Sequence, residues 1–240
     1  MIPKVIHYCW FGGNPLPELA QKCIASWKKY LPEYEVKEWN ETNFDMHYNE
    51  YVWQAYQNKK WAFITDVVRL YALVNEGGVY MDTDVEVLKP LDSILGYEAV
   101  SGFEDEGLIP TGLMASVAHQ PLFEELLHDY DQAQFIKPDG SMDLTTNVIR
   151  ITNTCKKYGF VPNGQLQTVK GFTFLPKDYL CPKSLYDGKI YLTENTLTIH
   201  HYAGSWVPAW RKKTSELITK IGGRKLHVFL SNLFHKIYGK

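Results

Sequence analysis

Asp82-Thr83-Asp84 closes a short apolar run opened by a glycine pair, Gly77-Gly78-Val79-Tyr80-Met81, and Val85-Glu86-Val87-Leu88 then reads as extended again. If a strand ends at Met81, two carboxylates emerge one residue apart at a strand-to-turn junction. Carboxylate oxygens suit Mg²⁺ or Mn²⁺, and Mg²⁺ is commonly held by one or two carboxylates together with phosphates. The pattern therefore points to a cation shared with a nucleotide phosphate. The competing reading is a turn in which the aspartates cap the backbone.

The surrounding chain reads as α/β. Val5 to Trp10 is a β-rich run ended by Gly12-Gly13 and Pro15. Pro17 opens a helix to about Lys29, with Leu19, Cys23, Ile24 and Trp27 on one face, and Tyr34 to Trp39 alternates as a second strand. Strand, helix and strand in sequence predict a parallel sheet. Further helices are expected over 51–57, 61–76, 121–130 and 144–158, and strands over 99–103 and 113–116. Residues 159–199 are rich in turn formers with short β-prone pieces. No internal repeat or low-complexity linker interrupts the chain. One domain over 1–210 and an appendage over 211–240 are expected.

Hydrophobic content of 45% and charged content of 22% are those of an ordinary globular chain. A net charge of −2 argues against nucleic acid as a partner. The charge is uneven, however. Residues 211–240 hold eight Lys/Arg against Glu216, about +7, which leaves about −9 on the rest. Within that segment Leu226, Phe229, Leu230, Leu233, Phe234 and Ile237 recur at helical spacing. A basic amphipathic helix over about 213–238, interrupted at Gly222-Gly223, either lies on a membrane surface or docks on the core. Cys9, Cys23, Cys155 and Cys181 form no CxxC or zinc spacing and read as buried thiols. No signal peptide and no 18-residue apolar run are read, so a cytoplasmic protein with a peripheral membrane contact is expected.

Two further groups carry chemistry. Asp66 and Arg69 share one face of the 61–76 helix, three residues apart. Their neighbours Phe63, Val67 and Leu70 make that helix largely buried, where a charged pair needs partners or a task. Arg holds phosphate or hydroxyl groups through its planar fork. His200-His201, followed by Ser205-Trp206, is the second group. A histidine there would complete a carboxylate ligand set and favour Mn²⁺ over Mg²⁺, and the Trp206 indole N–H would donate to a phosphate.

The motifs resemble a known family. Residues 2–12, IPKVIHYCWFG, resemble its opening, residues 62–69, AFITDVVR, its AxxSDxxR helix with Thr65 for the usual Ser, and residues 77–84 its GGxYxDxD. The likeness returns at residues 201–206. The family is glycosyltransferase family 32, the DXD-containing sugar transferases of capsular-polysaccharide type, related to the glucosyltransferase domains of bacterial toxins. The resemblance implies a GT-A-like, Rossmann-like fold with a mostly parallel sheet flanked by helices. It implies a hexose moved with retention from a nucleotide-sugar, UDP-sugar before GDP-mannose, to a glycan or lipid-linked saccharide in polysaccharide biosynthesis. Carried over, Trp10 would stack on the base, Asp66 and Arg69 would bind the donor sugar, and Asp82 would meet the ribose or the metal's water shell. Asp84 would ligate Mn²⁺ (or Mg²⁺), His201 would add a ligand, and Trp206 would contact the diphosphate. Residues 104–112 depart from the family pattern, being acidic and without its asparagine.

Three other readings compete. An aspartyl-phosphate phosphatase shares a DxDx(T/V) start but wants a longer strand before it and a later acidic pair. An EF-hand loop beginning at Asp82 would need Gly and Glu where Val87 and Ser93 stand. A sugar-binding module without catalysis would need only the aromatics.

Overall fold

A computed structural model of the chain describes residues 1–204. The boundary at 210/211, the C-terminal helix and Trp206 lie outside the described residues. The chain opens with β1 (Val5–Cys9), α1 (Glu18–Tyr30) and β2 (Glu35–Trp39), and β1 pairs β2 in parallel from Val5↔Glu35 to Cys9↔Trp39. α2 (Glu50–Gln57) and α3 (Trp61–Asn75) follow, then β3 (Gly78–Met81) and β4 (Val85–Val87). The remaining elements are β5 (Ala99–Gly102), β6 (Leu113–Ser116), α4 (Pro121–His128), α5 (Asn147–Lys157), β7 (Gln167–Val169), β8 (Phe172–Leu175), α6 (Lys177–Leu180) and β9 (Thr198–His200).

A seven-stranded sheet runs β2-β1-β3-β6-β5-β8-β7, and β4 and β9 form a separate antiparallel pair. The pairings orient β1, β2, β3, β5 and β8 one way and reverse β6 and β7, so the expected mostly parallel sheet is present. Strand alternation divides the core between its faces. Tyr80, Met114, Phe172 and Phe174 pack with α2, α3 and α4 on one side. Val79, Met81, Leu113, Ala115 and Leu175 pack with Trp27 of α1 on the other. β2 and β3 flank β1 on opposite sides, which opens a crevice at the carboxyl ends of β1 and β3. The DxD stands at that edge.

The link from α3 to β3 fixes this placement. The Gly77 N–H bonds back to the Leu73 carbonyl at 3.1 Å, with φ of 66° closing the helix in the left-handed region. Gly78 has φ of 105°, and a Cβ there would stand 2.6 Å from the Val5 carbonyl oxygen. A side chain would push β3 off β1. Gly78→Ala should therefore cost about 2–4 kcal/mol, combining left-handed strain with a backbone clash. Urea unfolding measures it, and a cost below about 0.5 kcal/mol would refute the close approach of the two strands.

Candidate active site

Arg69 is the centre of the site. It projects from α3, whose sequence is apolar nearly all round, and it is 5% exposed. Its Nη2 lies 3.2 Å from Asp66 Oδ1 and 3.5 Å from Asp82 Oδ1. Its Nη1 donates to the Thr111 carbonyl at 2.6 Å, and its guanidinium carbon stands 4.6 Å from the centre of the Tyr80 ring. The buried pair thus has the partners its burial demands. Asp66 is held further by the Asn147 backbone N–H at the start of α5, 3.1 Å from Oδ2, while the Asn147 amide donates to the Asp66 carbonyl. Burial outweighs Arg69 and this N–H and pushes the Asp66 carboxyl up to about 6.

Asp82 follows β3 directly. Its N–H bonds the Gly112 carbonyl at 2.7 Å, and its Oδ1 accepts the Tyr80 hydroxyl at 2.8 Å. Asp84 sits two residues on, where β4 begins. Its Oδ2 accepts the Ala203 N–H at 2.6 Å, and its Oδ1 lies 3.4 Å from His200 Nε2. The same Nε2 is 4.0 Å from Asp82 Oδ2. Among the described residues, Asp82, Asp84 and His200 form the one group of three acidic or imidazole ligands that closes, their donor atoms all within 4.8 Å of one another. Two carboxylate oxygens and one imidazole nitrogen fit a divalent cation and suit Mn²⁺ better than Mg²⁺.

The structure brings His200, rather than His201, to the aspartates. One step of strand alternation separates the two. His200 pairs with Val85 in the β4–β9 ladder and turns inward, whereas His201, past the strand end, holds Glu86 Oε2 with its Nε2 at 2.8 Å. Space for the His200 ring depends on Gly112, where a Cβ would stand 2.6 Å from the ring. Burial opposes a charged imidazole, but the hydrogen bond and charge of Asp84 outweigh it and raise the His200 pKa well above its ordinary value. Reciprocally, burial works against the Asp84 carboxylate, but His200 and the Ala203 N–H bring it down to about 2.

These groups line a cavity of about 620 Å³. Trp10, Phe11, Pro15, Trp61 and Phe63 add apolar lining, and Thr146, Asn147, Tyr202 and Gly204 complete it. Trp10 stands at the carboxyl end of β1, with its indole N–H on the Asn14 carbonyl at 2.5 Å. The acidic 104–112 stretch reaches the site through the Thr111 and Gly112 carbonyls, and Glu104 lines the cavity. Thr111 offers its carbonyl to Arg69, while Asp105 turns away to Lys177 and the Leu185 N–H. Asn147, Tyr80 and Gly112 were not singled out as site residues in the sequence. Of these, only Tyr80 carried a signal, by its place two residues before Asp82.

The chain is similar to known proteins in sequence and in fold. Residues 17–101, about a third of the chain, match a family model described as a glycosyltransferase sugar-binding region containing a DXD motif. Inositol phosphoceramide mannosyltransferase 2 of Schizosaccharomyces pombe is 27% identical over 164 residues, covering 66% of this chain and 47% of its own length. Mannosyl phosphorylinositol ceramide synthase SUR1 of Saccharomyces cerevisiae is 29% identical over 147 residues, covering 57% and 37%. The chain thus spans less than half the length of these two curated relatives. Among solved structures, the PaToxG glycosyltransferase aligns with a TM-score of 0.49 at 17% identity, over 65% of this chain and 69% of that one. A glycosyltransferase involved in glycosylation of the PBCV-1 major capsid aligns with a TM-score of 0.48 at 15% identity, over 90% and 100%.

Two expectations follow from the charges. Asp66 ionises near 4 in the unfolded chain and near 6 in the fold, so folding favours its protonated form. That contribution is present below about pH 4 and is lost as pH rises through 6. The stability of wild type relative to Asp66→Asn should therefore fall by on the order of 2–3 kcal/mol between about pH 4 and pH 7. Paired urea titrations read it, and a flat difference would contradict the burial of this carboxylate. A cation bound at His200 must displace its proton, so affinity rises with pH. The melting-temperature gain from Mn²⁺ should be larger at about pH 8 than at about pH 6, and a pH-independent gain would remove His200 from the ligand set.

Proposed function

We propose that this chain is a metal-dependent glycosyltransferase that moves a hexose from a nucleotide-sugar to a saccharide or lipid-linked acceptor. The observation that carries this is the Asp82–Asp84–His200 cluster. It lies at the carboxyl end of β3 and lines a cavity that Trp10, Trp61 and the Asp66–Arg69 pair also line. The DXD family match over residues 17–101 supports it.

In this reading Trp10 packs against the nucleobase, since an aromatic face stacks on a flat ring. Asp66, oriented by Arg69 and the α5 N-terminus, accepts hydrogen bonds from donor-sugar hydroxyls. Asp82, Asp84 and His200 would hold the cation, which would supply Lewis-acid stabilisation of the charge that builds on the leaving diphosphate. Arg69 adds a fixed positive charge in a site with little water, where it needs no reorganisation. Retention at the anomeric carbon follows a front-face path in which the leaving phosphate takes the acceptor proton, so no enzyme nucleophile is required. The family resemblance, not the motifs themselves, puts a UDP-hexose and a surface polysaccharide product first. The mannosyl in the relatives' names supports GDP-mannose, and their inositol phosphoceramide acceptors support a lipid-linked one.

A thermal-shift panel of UDP- and GDP-sugars with and without Mn²⁺ identifies the donor, since a ligand of the native state alone raises the melting temperature. With that donor, Asp84→Ala should slow transfer by at least about 10²–10³-fold, the loss typical of one removed electrostatic stabiliser. The fold should persist, because Asp84 stands in the turn before β4 rather than in the apolar core. Unimpaired turnover by the variant in EDTA would end the metal-dependent reading. Sugar binding with no Mn²⁺-dependent donor cleavage would favour a binding module, and turnover of p-nitrophenyl phosphate would favour a phosphatase.

A further inference from the structure

Among the described residues, four that are not glycine take left-handed backbone angles, and of these only Tyr202 lines the cavity. Its φ is 54°, a conformation that strains an aromatic residue and persists only where the surroundings enforce it. Both flanking peptide groups enforce it here. The His201 N–H bonds the Asp84 carbonyl at 3.0 Å, and the Ala203 N–H bonds Asp84 Oδ2 at 2.6 Å. The His201 carbonyl accepts Lys183 Nζ at 2.6 Å, and the His201 ring holds Glu86. The chain thus turns back on Asp84. The turn lays the Tyr202 ring against the ring of His200, two residues earlier, with centres 4.1 Å apart and planes 35° off parallel.

The His200 imidazole has need of such a neighbour. A histidine that ligates a metal ordinarily donates its second ring N–H to a carboxylate or carbonyl, which fixes its tautomer and orientation. Here Nε2 faces Asp82 and Asp84, while Nδ1 is buried with no hydrogen-bond partner. Cys181 lies close to the ring, but its thiol is a weak partner and forms no hydrogen bond of good geometry with Nδ1. The ring is held by contact instead. A Cβ at Gly112 would stand 2.6 Å from its Cε1, and Tyr202 packs on it. The Tyr202 hydroxyl is itself buried without a partner, so it neither orients His200 nor meets a ligand in the cavity. The aromatic ring is the part in use.

We propose that Tyr202 is a positioning residue for cation binding, its ring wedging the His200 imidazole so that Nε2 points at Asp82 and Asp84. Packing takes the place of the hydrogen bond that Nδ1 lacks. The strain at Tyr202 then has a task, since a relaxed backbone would carry the ring away from His200. The proposal rests on the cation site of the proposed function and adds to it a residue that acts through His200.

The test uses the full chain with Mn²⁺, read by pulsed electron paramagnetic resonance, which detects a coordinated imidazole nitrogen through its hyperfine coupling to the ion. Wild type should show a nitrogen coupling that His200→Ala abolishes. Tyr202→Ala should lose most of that coupling and bind Mn²⁺ about 10–100-fold more weakly, the usual cost of removing a group that orients a metal ligand. Tyr202→Phe keeps the ring and should retain both. Its melting temperature should not fall, because the lost hydroxyl had no partner. Undiminished coupling in Tyr202→Ala overturns the proposal. Loss of coupling in Tyr202→Phe overturns it too, and that variant decides even where the Tyr202→Ala chain fails to fold. Wild type that binds Mn²⁺ with no nitrogen coupling removes His200 from the ligand set, and wild type that binds no Mn²⁺ removes the cation site. Either overturns the proposal through the reading it rests on, which sets that failure apart from a failure of Tyr202 to position the ring.

Discussion

The site depends on one buried guanidinium. Arg69 stands inside a helix that the rest of α3 makes apolar, and it ties together three parts of the chain that are distant in sequence. Asp66 belongs to its own helix, Asp82 to the end of β3, and the Thr111 carbonyl to the turn before β6. A buried cation left with fewer partners is costly, on the order of several kcal/mol, so each contact constrains the others. The helix cannot slide against β3 without breaking the Asp82 contact. The turn at Thr111 cannot move without leaving a donor unpaired. The Tyr80 ring lies against the guanidinium while its hydroxyl fixes the Asp82 carboxylate, so Asp82 is aimed from two directions.

The backbone supplies what the guanidinium requires. Asp82 reaches Arg69 because β3 starts directly after α3, and that short link is possible because Gly77 and Gly78 occupy left-handed backbone angles against the neighbouring strand. Gly112 plays the corresponding part on the other side, giving its carbonyl to the Asp82 N–H and its empty face to the His200 ring. The glycines of the motif are thus positional. They let two chain segments approach closely enough for charged side chains to meet, and their effect on chemistry is indirect.

Residues 5–87 were legible in the sequence because their signals are local. The β-α-β opening, the apolar α3 and the glycine pair before the DxD each follow from periodicity or turn chemistry within about fifteen residues. The site beyond them was legible only in part, and the histidines show why. Choosing between His200 and His201 needs the register of β9 against β4, a pairing across more than 110 residues that no local pattern encodes. Asn147 was hidden for the same reason. Its contribution to the Asp66 carboxylate is a backbone N–H at a helix start, which any residue but proline would offer at that position. The acidic 104–112 stretch looked like a departure in its side chains, yet it reaches the site through the Thr111 and Gly112 carbonyls, which composition does not report.

The charge balance of the cluster also bears on its chemistry. Asp66, Asp82 and Asp84 face Arg69 and the His200 imidazole, whose protonated form Asp84 favours. With that proton in place three carboxylates stand against two positive charges, an excess of one negative charge. Under the proposed function, a divalent cation that displaced the proton would add one positive charge and bring the cluster to balance. Asp66 lies outside this exchange. Its pKa near 6 comes from burial, so under the proposed function its ionisation would respond to how dry the cavity became on sugar binding. A hydroxyl that donated to its carboxylate would favour the charged form.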